Sequence, residues 1–187
     1  MNSRTLALAA VLVALAVGTN YAMMSFYNVK FMDLIVFVGG FCFGPIVGGL
    51  IGIACWGVYG SINPLGFSFH IWVATMFAES LYGVAGGLLG RLVQLSRSNE
   101  VRSGGLNLHV FFAATGIFLT VVYDAITNIV FGRLFNWSII FSLISGFVPF
   151  GLLHVVSNAL FFGVACAPAI KTIKNMMGGE GNGISEK

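Results

Sequence analysis

Residues 30–91 read KFMDLIVFVGGFCFGPIVGGLIGIACWGVYGSINPLGFSFHIWVATMFAESLYGVAGGLLGR, with only two full charges, Asp33 and Glu79, between Lys30 and Arg91 at the ends. A stretch that long and apolar has no polar face to offer water, so its solvent is lipid. Two sets of breakers divide it: Gly44-Pro45, and the segment Ser61-Ile62-Asn63-Pro64-Leu65-Gly66. Three spans result, at about Met32 to Phe43, Ile46 to Gly60 and Phe69 to Val93, the first two short and glycine-rich.

Outward from that stretch the pattern continues. Thr5 to Phe26 is an apolar run preceded by Arg4. Ala14-Leu15-Ala16 has the small-residue pattern of a signal-peptide cleavage site, but the apolar run extends past it and is read as a first span. Gln94 to Asn107, with Arg97, Glu100 and Arg102, is a solvent loop; Leu108 to Phe131 makes a fifth span and Ser138 to about Pro168 a sixth. The expectation is an all-α, polytopic membrane protein of six transmembrane helices, one domain over residues 1–170, with 171–187 a mobile cytoplasmic tail. Composition agrees: of 187 residues 58% are hydrophobic and 8% charged, against roughly a quarter charged in a soluble domain.

Charge placement orients the bundle, because Lys and Arg near span ends favour the cytoplasm. With both termini inside, Arg4, Arg91, Arg97, Arg102, Lys171, Lys174 and Lys187 are cytoplasmic and only Lys30 and Arg133 are outside. No basic cluster tracks a phosphate backbone, which excludes nucleic acid as a partner. Cys42, Cys55 and Cys166 lie in apolar runs without CxxC spacing, and HExxH is missing, so neither a disulfide frame nor a metal site is expected. The chain also lacks a Walker motif, so it does not hydrolyse nucleotides through one.

Acids at membrane depth are costly unless they face a bundle interior or a wet cavity, which makes Asp33, Glu79 and Asp124 functional candidates. Asp33 can equally be a helix-start group or a local partner of Lys30. Glu79 shares a helical face with Trp72, Thr75, Met76, Tyr82 and Gly83. Thr120, Asp124, Thr127 and Asn128 form a second stripe, and Phe150, His154, Ser157, Asn158 and Phe161 a third. Such stripes can be interhelical glue; a Glu, an Asp, a His and two Asn at similar depth point instead to a ligand cavity. No Lys or Arg accompanies them within the body, so the expected ligand is neutral or cationic, rich in nitrogen donors, and not a bare phosphate. The alternative is an intramembrane hydrolase using His154 with a nearby Ser or Asp124, although GxSxG is missing. On the first span, Ala7, Ala10 and Ala14 form a smooth strip suited to docking another protein.

These residues resemble the substrate-binding S components of energy-coupling factor (ECF) vitamin transporters. The resemblance rests on Ala9-Ala10-Val11-Leu12-Val13-Ala14, on Asp33 followed by Gly39-Gly40-Phe41 and the Gly44-Pro45 turn, and on the six-span length. It implies a non-enzymatic cell-membrane subunit without a cofactor. Such a subunit captures a vitamin or vitamin precursor at the outer face and docks on a membrane T component with two cytoplasmic ATPases. By position, it implies ligand contacts from Glu79, Asp124, Asn128, His154 and Asn158 and aromatic walls from Trp72, Tyr82 and Phe67. It also implies a gating loop carrying Tyr27, Lys30 and Asp33, and docking through Ala10 and Ala14. Acids without a basic partner favour an amine-bearing ring of the thiamine kind, while riboflavin, a queuosine precursor or a cobalamin-type compound stay open.

Overall fold

The computed structural model describes residues 3–64, 66–96 and 106–178. Seven α-helices account for nearly all of them: α1 (Ser3–Ala22), α2 (Met32–Phe43), α3 (Pro45–Ser61), α4 (Phe69–Ser96), α5 (Leu106–Leu134), α6 (Ile139–Gly146) and α7 (Leu152–Gly178). Among the described residues four segments are long and apolar enough to cross a bilayer, Ser3–Ala22, Phe69–Val93, Leu108–Leu134 and Ile139–Met177, and α2 and α3 are shorter apolar helices between the first two. This is a polytopic, all-helical membrane protein, its four long apolar segments and two shorter apolar helices following in the expected order.

Local chemistry sets the boundaries. Gly44 closes α2 at φ +96°, a conformation that a β-carbon disfavours, and its amide donates to the Gly40 carbonyl over 2.7 Å. Pro45 then opens α3, where its fixed φ and missing N–H cost nothing. Ser138 caps α6 by accepting from the Phe141 amide.

The sixth span departs from the expected single helix. Between α6 and α7, residues Phe147–Gly151 form a wide turn in which Val148 takes the non-helical angles φ −115°, ψ 118°. Pro149 explains it, since proline pushes the preceding residue out of the helical region. At the other end α7 runs on to Gly178, so the segment expected to be tail from residue 171 starts as helix; residues 179–187, like the charged loop 97–105, lie outside the described residues. The Arg4 guanidinium donates to the Met176 carbonyl, which brings the start of α1 and the end of α7 to one end of the bundle.

Packing divides the bundle into two halves. Helices α2, α3 and α4 meet along glycine: a β-carbon on Gly83 would overlap the Gly48 carbonyl, and one on Gly40 would overlap the Gly83 carbonyl. Gly40, Gly48 and Gly83 thus make backbone-to-backbone contacts between these helices. On the other side α5 packs on α7, with Phe162 fully buried against Gly116. Helix α2 stands between the halves, with most of its residues buried, from Met32 to Phe41.

Candidate functional site

The polar stripes of α5 and α7 face the first turn of α2. His154 is fully buried, with Nδ1 2.8 Å from Asp124 Oδ1 and Nε2 2.6 Å from Asp33 Oδ2. Both ring nitrogens thus face carboxyl oxygens, one from α2 and one from α5. Asn158, one turn further along α7, donates through Nδ2 to Asp33 Oδ2 over 2.6 Å and to Thr120 Oγ1 over 2.7 Å. The Tyr82 hydroxyl of α4 donates to Thr120 Oγ1 over 2.9 Å. Four helices are thereby joined through one buried network.

Asp33, expected on the gating loop, therefore sits below it as the central acceptor of that network. Glu79 is fully buried as well and accepts from Trp56 Nε1 over 3.1 Å. Among the described residues, Asp33 Oδ1, Glu79 Oε1, Asp124 Oδ2 and Asn158 Oδ1 are buried without a donor.

Beside the network lies a cavity of ≈ 550 Å³. The loop between α1 and α2 covers one side: the Tyr27 ring packs 4.7 Å from that of Phe150, and Asn28 Nδ2 donates to the Phe150 carbonyl over 3.0 Å. Asn28 adopts φ 56°, a left-handed turn that Asn tolerates better than most residues. Trp56 and Tyr59 form a wall from α3, Tyr123 one from α5, and Trp137 and Phe131 close the far side; Asn20, Asn63 and Thr127 supply polar edges.

Of the ligand-contact and gating-loop residues that the resemblance implies, Asp124, Asn128, Tyr27 and Lys30 line this cavity, as do Thr75, Thr127 and Phe150 of the polar stripes. Glu79, Tyr82, His154 and Asn158 are not among its lining residues: Glu79 lies behind Trp56, and the others lie in the buried network, in contact with the lining residues Asp124 and Tyr123. Trp72 donates its indole N–H to the Trp56 and Gly57 carbonyls and braces α3 from behind. Phe67 is 59% exposed, its ring 5.7 Å from that of Trp72. Ala10 and Ala14 sit on the exposed face of α1, opposite the buried Ala9, Leu12 and Ala16.

One expectation is corrected outright. Lys30, placed outside the body by its loop position, turns inward: it is 9% exposed, with Nζ 4.5 Å from the Tyr123 ring centre and 5.8 Å from that of Trp56. A basic group does accompany the acids. The sequence reading also passed over Trp56 and Tyr59, although their i, i+3 spacing on α3 puts them on one face.

A family model described as ECF transporter, substrate-specific component, matches residues 4–165. The chain belongs to this family. Comparison with curated proteins and with solved structures finds no match. The matched region runs from the start of α1 to the middle of α7, so it spans the cavity, its covering loop and the network beneath.

Proposed function

We propose that this S component captures a vitamin or vitamin precursor in the cavity at the outer face. It then hands the molecule inward after docking on a T component served by two ATPase subunits. The observation that carries this reading is the cavity itself: ≈ 550 Å³, walled by aromatic rings and edged by amides and hydroxyls, under a loop pinned to Phe150. Such a space suits a flat ring system with polar edges. Arg4, Arg91, Lys171 and Lys174 are the basic groups expected at the cytoplasmic end, and Lys30 and Arg133 those at the other, which supports termini inside and the cavity outside. The small-residue face of α1, Ala10 and Ala14, is the docking surface.

Binding rather than hydrolysis is favoured by the state of His154. Carboxyl oxygens occupy both its nitrogens, and Ser157 Oγ donates to the His154 backbone carbonyl, so no imidazole nitrogen is left to activate a serine. Mass spectrometry of small molecules released from the detergent-purified chain tests the reading. A single compound at near-stoichiometric yield is expected; peptide or lipid turnover by the isolated protein, lost in His154→Ala, would overturn it.

A further inference from the structure

Lys30 presents a problem of charge. Its side chain leaves the loop, passes between α3 and α5, and brings an ammonium carrying three N–H donors to the cavity wall. Among the described residues it makes no ion pair and no hydrogen bond; its contacts are the faces of Tyr123 and Trp56. Burying a cation against rings recovers part of the lost hydration but satisfies none of its donors. Asp33 and Glu79 are close enough to act on it electrostatically. Neither forms an ion pair with it, and each keeps a buried oxygen without a donor. The ammonium is therefore held near the acids and directed at the cavity.

Resting on the capture reading above, we propose that Lys30 receives a carboxylate borne by an aromatic or heteroaromatic ligand, whose ring lies among Trp56, Tyr59, Tyr123 and Trp137. Two features select a carboxylate over a phosphate. Among the described residues the cavity offers one cation, Lys30, whereas a dianion calls for several donors. Asp124 also lines the cavity, and its Oδ2, which has no donor, disfavours a second negative charge. Asp124 further calls for a donor on the ligand, so an amine or ring N–H completes the match. The loop that covers the cavity thus contributes the recognition group, and closing over the ligand and pairing with it become one event. This reverses the cationic preference that the acids alone suggest.

Isothermal titration calorimetry on the full chain in detergent tests this with five probes: nicotinate and 4-aminobenzoate as ring carboxylates, nicotinamide and riboflavin as uncharged rings, and thiamine as a cationic one. The expected result is that a carboxylate binds best. Lys30→Met should weaken it by about 10- to 100-fold, the worth of one charge-assisted hydrogen bond, while Lys30→Arg recovers most of the loss. Lys30→Gln serves as a second neutral variant if the Met substitution fails to fold. Tightest binding of nicotinamide, riboflavin or thiamine, or carboxylate binding indifferent to Lys30→Met, overturns the proposal and leaves the capture function standing. If none of the five binds, the carboxylate assignment falls, and the capture function is decided by the compounds released from the purified protein.

Discussion

Removing the carboxyl of Asp33 is the sharpest probe of how the two halves of the bundle are held together. In Asp33→Ala, His154 Nε2 loses its acceptor and Asn158 Nδ2 loses one of two strong acceptors, in a place without access to water. An orphaned buried donor costs about 1–3 kcal/mol, more when charge is involved. Hydrogen bonds between membrane helices measure lower, near 0.6 kcal/mol on average and about 1.7 at most, because the unfolded chain in the bilayer also finds partners. With two bonds lost and one donor stranded, destabilisation of about 2–4 kcal/mol is expected. The Asp33→Ala/His154→Ala cycle, read by denaturant titration in mixed micelles, isolates the pair. Each single variant strands the other's polar group, so the double variant should be less destabilised than the sum by at least about 1 kcal/mol. Additivity within about 0.3–0.5 kcal/mol would refute the claim that these two side chains are energetically coupled.

The other expectations are briefer. Asn128→Ala, at the cavity wall, should raise the Kd of the captured compound by about 5- to 10-fold without moving the thermal midpoint, for loss of about one hydrogen bond; an equal shift in both would make the residue structural. Glu79→Leu frees the Trp56 indole and should weaken binding through wall disorder, whereas Glu79→Gln, which still offers an oxygen to Trp56, should come close to the parent in calorimetry. Gly83→Leu should prevent assembly, because helices α3 and α4 cannot meet with a side chain between Gly83 and the Gly48 carbonyl; a monodisperse, ligand-binding variant would count against the glycine seam. Ala10→Trp with Ala14→Trp should abolish uptake by whole cells while leaving ligand binding intact; undiminished uptake would remove α1 as the docking face.

Span order was legible because lipid demands runs of apolar residues and the Gly44-Pro45 and Asn63-Pro64 breaks fall where those runs turn. The break in the last span carried a signal too, Gly146, Pro149 and Gly151, but it is embedded in an apolar run and so escapes a reading based on hydropathy. The stripes on α5 and α7 were visible as i, i+4 repeats. Periodicity states which face is polar, not whether that face meets a cavity or another polar face. Asp33 and His154 are 121 residues apart, and only the packed bundle shows that His154 and Asn158 bond Asp33 beneath the cavity while Asp124 and Asn128 reach it. Lys30 escaped for a related reason. Loop position fixes the end of the bundle at which a charge sits, while the gap between Trp56 and Tyr123 that admits its side chain is a property of two helices distant in sequence.

The central place of α2 bears on how the chain is made. Its 12 residues rise about 18 Å, well short of a hydrocarbon core of about 30 Å, and it carries Asp33 into that core. Synthesis delivers this helix early, and the side chains that satisfy its carboxyl, His154 and Asn158, leave the ribosome more than a hundred residues later. Throughout that interval the nascent protein holds an acid in or near lipid without its partners, at a cost of several kcal/mol if it stays charged. A chain cut short before Leu152 would lack both of these partners, so arrival of the last helix is the step that completes the surroundings of Asp33.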